Sequence, residues 1–102
     1  MDMMPSDYVE IMSQVSGIAV DDIMGRGRKT DYCTARHIIW FHLQRDKRWS
    51  LDRIGRYFGR NHATVVHGIK EVELYRNVPS YEEQRIMLED YENIINAKKQ
   101  EK

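Results

Sequence analysis

With 102 residues the chain has room for one compact domain with its own core and not comfortably for two. Apolar residues make up 41% and charged residues 31%, and the single cysteine, Cys33, excludes an internal disulfide and a thiolate metal cluster. Sixteen Lys and Arg offset sixteen Asp and Glu, and no apolar run approaches the roughly 18–20 residues of a bilayer span; the balance predicts a soluble, cytoplasmic domain without membrane association.

Every long segment has a helical period, and Pro occurs only at 5 and 79. The acidic start lacks a basic stretch and does not read as a signal peptide. Ser6 is the predicted cap of a first helix that turns Tyr8, Val9, Met12 and Val15 inward and stops at Gly17. A short helical turn over about 21–24 follows, then the basic, glycine-containing segment Gly25-Arg-Gly-Arg-Lys-Thr30, read as a loop. A third helix is predicted from about Asp31 or Thr34 to Asp46, with Ala35, Ile38, Ile39 and Leu43 buried and Trp40 and Phe41 partly buried.

Ser50 caps a fourth helix carrying Leu51, Ile54, Tyr57 and Phe58, and Gly59 suits the left-handed residue that ends it. Asn61 caps a fifth helix, predicted to run to about Arg76 with Val65, Val66, Ile69 and Val72 inward. After Pro79, Ser80-Tyr-Glu-Glu83 has the form of a capping box opening a last helix, with Met87, Tyr91, Ile94 and Ile95 inward. The expected domain is 1–97, and residues 98–102 are expected to fray.

Two helices joined by a short Gly-containing turn describe a helix-turn-helix at about 50–72. The second opens on Asn61, His62, Ala63 and Thr64, small or hydrogen-bonding residues able to reach base edges. The charge map singles out the same region. Residues 1–25 carry net −5, residues 26–70 carry eleven Lys or Arg against three Asp for net +8, and residues 71–102 carry net −3. A local field of this kind attracts phosphate even where the total cancels.

Competing readings are weaker. His37/His42 and His62/His67 are each five apart; five residues rotate a helix by about 140° net, so neither pair shares a metal-binding face. No Gly-rich phosphate loop with Lys-Ser/Thr occurs. No enzyme activity, cofactor, metal or nucleotide is therefore expected. Trp40, Trp49, Phe41 and Phe58 could be stacking platforms for single strands, but their helical spacing favours core. The acidic first and last helices leave a protein-interaction module open as the rival function.

The stretch Ser50-Leu-Asp-Arg-Ile-Gly-Arg-Tyr-Phe-Gly-Arg-Asn-His-Ala-Thr-Val-Val-His67 resembles the signature of the C-terminal DNA-binding domain of the bacterial replication initiator DnaA. Ala35-Arg-His-Ile38 is similar to that domain's Ala-Arg-Gln-Ile stretch, and Val20 to Lys29 to its short helix and basic loop. The resemblance implies an all-α bundle of about six helices of the DnaA C-terminal, Trp-repressor-like kind. It implies that Asn61, His62, Ala63 and Thr64 face bases and nearby phosphates, that His67 faces phosphate, and that Arg36 and His37 clamp the backbone. By the same resemblance Arg28, with Lys29 and Arg26 beside it, enters the minor groove, Leu51 approaches the groove edge, and Arg60 belongs to the same surface.

Departures narrow the implication. Asn61 stands where the family usually has Asp, and Ala63 where it has Thr or Ser. Asp accepts from cytosine, whereas Asn can pair with adenine through two bonds, so the standard box is not expected. The expected partner is double-stranded DNA, in origin binding or regulation of replication initiation, or in transcription control on a mobile element. Candidate protein partners are a full-length initiator or a second copy.

Overall fold

A computed structural model describes residues 2–100. Six α-helices follow one another: α1 (Pro5–Ser16), α2 (Val20–Met24), α3 (Thr30–Lys47), α4 (Leu51–Phe58), α5 (His62–Asn77) and α6 (Glu82–Lys99), with a 3-10 turn (Pro79–Tyr81) before the last. No strand occurs among the described residues.

The central element is α3, which packs against all five other helices. A helix surrounded in this way must be apolar on more than one face. Ala35, Ile38, Ile39, Trp40 and Leu43 are all buried, Trp40 at 1% exposure rather than partly exposed as predicted. The α3–α5 crossing is close because α5 presents Gly68 to it. A Cβ there would lie 2.6 Å from the His37 ring and 2.7 Å from the Trp40 ring.

Local chemistry explains most boundaries. Ser50 Oγ accepts from Arg53 N at 3.1 Å and Asn61 Oδ1 accepts from Thr64 N at 2.9 Å, so both predicted caps of α4 and α5 form. Gly59 ends α4 at φ 68°, a left-handed conformation that costs glycine little. The turn is tight because Gly55 has no side chain: a Cβ would lie 2.5 Å from the Arg60 carbonyl oxygen, and that backbone is drawn in by Arg60 N donating to Gly55 O at 2.8 Å.

Three predictions fail for identifiable reasons. Helix α1 begins one residue before Ser6, because Pro5 supplies the first helical φ and Asp7 accepts from Met4 N at 2.8 Å. The capping box at Ser80–Glu83 does not form. The chain makes the 3-10 turn instead, and Arg85 donates to the carbonyls of Tyr75 and Val78 at 3.1 Å, covering the open end of α5. The inner face of α6 is Leu88, Tyr91 and Ile95, whereas Ile94 is 41% exposed. Tyr91 sets this register by donating its hydroxyl to Tyr8 O at 3.0 Å, across the α1 contact.

Helix α6 also outlasts the expected domain end. Lys98 and Lys99 are helical, and Lys99 Nζ sits 2.8 Å from Asp46; residues 101 and 102 of the expected frayed tail lie outside the described ones. This contact belongs to a line of charge between α3, α5 and α6. His42 is 1% exposed, with one ring nitrogen 2.8 Å from Asp46 and the other 2.8 Å from Glu92. Arg76 holds Glu92 with both terminal nitrogens. Burial pushes the Glu92 carboxyl up, but the hydrogen bonds and positive charge of His42 and Arg76 outweigh it and hold the group at about 2.

Candidate nucleic-acid interface

The cap at Asn61 aims the start of α5 outward. Asn61, His62, Ala63 and Thr64 are all exposed, while Val65 behind them is fully buried and anchors the turn. The four residues thus form the projecting tip of the helix-turn-helix, with the first amides of α5 on the same side. Asn61 contributes less than expected. Its Oδ1 spends one of its two lone pairs on the helix cap, which fixes the amide plane against the turn and leaves the Nδ2 donor as its fully free group. His62 Nδ1 lies 3.3 Å from Asp52 on α4.

Beside this tip, the segment 25–29 runs from the end of α2 to the start of α3. Together they border a cleft of about 710 Å³ lined by Arg26, Gly27, Arg28, Cys33, Arg36, His37, Trp40, Arg60, Thr64 and His67. Four arginines line it and no carboxylate does. The absence of a compensating charge has a local sign. Burial, and then the positive fields of Arg36 and Arg26, lower the Arg60 pKa below its ordinary value.

The arginines divide into two kinds. Arg28 is exposed and has no hydrogen-bond or ion-pair partner among the described residues, and Lys29, the residue before α3, lies 5.4 Å over the Tyr32 ring. Arg36 departs from its expected role as a phosphate clamp. It is 4% exposed, and its donors serve Ile23 O at 2.8 Å, Gly27 O at 2.8 Å and Asp22 O at 2.9 Å. A guanidinium that closes the end of α2 and pins the loop has little left to give a phosphate. Arg60 likewise donates to Phe58 O at 2.8 Å and Gly25 O at 2.6 Å.

His37 also departs from the clamp role. Its Nδ1 pairs with Tyr75 Oη at 2.8 Å, and burial, followed by the fields of His67 and Arg36, lowers its pKa to about 4. The ring is neutral near pH 7 and brings no charge to a phosphate. His67 is exposed as expected, with Nε2 3.1 Å from Glu71 on the next turn. Leu51 is half-buried against the core, at the first position of α4. Among the described residues no cluster of three His, Cys, Asp or Glu could hold a metal, and no helix is long and apolar enough to cross a membrane.

The family described as bacterial DnaA protein helix-turn-helix matches residues 6–72, more than half of the chain and all of the surface just described. The chain belongs to that family. It is similar to the chromosomal replication initiator protein DnaA of Kosmotoga olearia, at 32% identity over 60 residues, which is 59% of this chain and 13% of that protein. The DnaA of Leptospira biflexa is 31% identical over 65 residues and that of Mycoplasma capricolum 35% over 66 residues, each 64% of this chain and 15% of the relative. The chain therefore spans about 13–15% of the length of these curated DnaA relatives.

Two contacts in the DnaA helix-turn-helix of this chain are not foreseen by the sequence. Arg26, expected beside Arg28 at the minor groove, instead donates to Gly59 O at 3.1 Å, and Tyr75 seats His37. A usable signal existed for Arg26, since Gly25, Gly27, Gly55 and Gly59 together announce two backbones that can approach closely. Nothing in the sequence near Tyr75 points to a partner 38 residues earlier.

Proposed function

We propose that this chain binds duplex DNA with sequence preference and acts at a replication origin or in the regulation of replication initiation. In this reading the start of α5 enters the major groove, and Arg28, with Lys29, enters the adjacent minor groove. The cleft of four arginines without a carboxylate, opening beside four exposed residues at a helix N-terminus, carries the proposal. A polyanion is the ligand that relieves such a field, and free helix amides suit its phosphates.

Base reading falls to few atoms. Ala63 offers a methyl for a thymine methyl, Thr64 a hydroxyl, and Asn61 its Nδ2 donor, which suits acceptor edges such as guanine O6 and N7. A donor at 61 is the physical reason to expect a target other than the family's standard box. His67 adds a phosphate contact further along α5.

Selection from random duplex DNA, followed by binding at several salt concentrations, tests the proposal. The expected result is an enriched motif whose affinity falls with salt, since each phosphate neutralised releases counterions. No salt-dependent binding to any duplex at low ionic strength refutes it. A motif equal to the initiator's box favours binding at the initiator's own origin sites or competition with it there, and a different motif, the outcome expected from Asn61, favours regulation from separate sites.

A further inference from the structure

We infer that Arg60 is a positioning residue: it clasps the 25–29 loop to the helix-turn-helix turn and so fixes Arg28 relative to α5. The inference rests on the duplex-binding reading for its purpose, and on the geometry of the free chain for its mechanism.

The clasp is reciprocal. Arg60, in the turn, donates Nη2 to Gly25 O in the loop at 2.6 Å, while Arg26, in the loop, donates Nη2 to Gly59 O in the turn at 3.1 Å. Each segment thus contributes one guanidinium and one carbonyl. Arg60 is itself held by its own Nη1 on Phe58 O at 2.8 Å and by its backbone N on Gly55 O at 2.8 Å. Arg36 grips the same loop from α3, through Gly27 O.

Arg28 is the residue these contacts leave between them. The carbonyl before it, Gly27 O, is tied to Arg36, and the carbonyl after it, Lys29 O, accepts from Cys33 N at 3.0 Å at the head of α3. The Arg28 side chain projects from a backbone fastened on both sides and has no partner of its own among the described residues. A Gly-Arg-Gly-Arg loop without such ties would sample many conformations and lose that freedom on binding. The fork geometry matters as much as the charge, because one planar guanidinium spans Phe58 O and Gly25 O at once. An ammonium is a compact point donor and does not bridge both.

A double-mutant cycle separates clasp from contact. Arg60→Lys keeps the charge and loses the fork, and Arg28→Ala removes the proposed groove contact. Binding of both single variants and the double is read by anisotropy of a fluorescein-labelled duplex taken from the selection. Each single variant is expected to weaken binding by on the order of tenfold, and the double no more than about twofold beyond Arg28→Ala. Losses that multiply show that Arg60 contacts DNA independently and overturn the inference. An unchanged affinity for Arg60→Lys overturns it too.

Backbone 15N relaxation on the free protein keeps the test independent of DNA. The clasp holds carbonyls and leaves the 26–29 amides unbonded, so loop order rather than amide protection is the readout. Arg60→Lys should lower the order parameters of residues 25–29 while α3 and α5 keep wild-type values. Unchanged loop order overturns the clasp, whereas a wild-type chain that binds no duplex refutes the duplex-binding reading and leaves the relaxation result to decide the clasp.

Discussion

Glu92→Gln is the sharpest probe of what holds α6 onto the bundle. The substitution keeps shape, removes the charge that Arg76 and His42 share, and replaces one of the two oxygens that accept from Arg76 with an NH2 donor. Glu92 is 16% exposed, and its pKa is held at about 2 against an ordinary 4.5. Holding the carboxyl at about 2 rather than 4.5 corresponds to about 3 kcal/mol of folding stability. Arg76 is 33% exposed and regains water when released, so the expected loss is about 2–3 kcal/mol. For a domain of this size that lowers Tm by on the order of 10–20 °C.

The sign with pH follows from the depressed carboxyl. Its contribution is complete above the unfolded value of 4.5 and is lost as pH falls toward about 2. Guanidinium unfolding of both proteins across that interval measures the gap, which should close on acidification. A gap that stays constant between neutral pH and about 2, or a variant as stable as wild type at neutral pH, refutes the charge-coupled account of this contact.

Other outcomes follow from the same geometry. Gly68→Ala should destabilise by about 1–3 kcal/mol despite the better helix former, since its Cβ meets buried ring atoms; a stabilised variant in urea unfolding would contradict the close crossing. The His37 ring should titrate at about 4 in NMR, and stability should fall as pH drops from 6.5 toward that value, because only the unfolded chain takes up the proton there. Asn61→Ala should cost about 1 kcal/mol through the lost cap and also weaken duplex binding; a thermally neutral variant would mean that the cap is idle. Arg48 ends α3 in the left-handed conformation at φ 58°. Arg48→Gly should raise stability by about 1 kcal/mol in the same unfolding assay.

The candidate interface was readable in part, and the boundary between readable and unreadable is physical. The turn was legible because its signals are local. Ser50 and Asn61 each bond an amide three residues on, and Gly59 need only satisfy its own φ. The basic character of residues 26–70 was legible because charge is additive along a sequence. Which arginine faces outward was not. Arg28, Arg36 and Arg60 are the same residue type inside one basic stretch, and composition cannot rank them.

The sequence alone thus determined an all-helical chain, the position of its helix-turn-helix and the exposed tip from Asn61 to Thr64. Periodicity and caps are decided within a turn or two of backbone. Tertiary structure alone decided that Arg36 and Arg60 hold the loop and leave Arg28 free, and that Leu88 rather than Ile94 faces the core. Those outcomes depend on carbonyls up to 35 residues away and on the Tyr91–Tyr8 bond across 83 residues. A long polar side chain is satisfied by whichever buried acceptor the fold brings within reach, and until α2, α3 and the turn have packed together those acceptors have no common place.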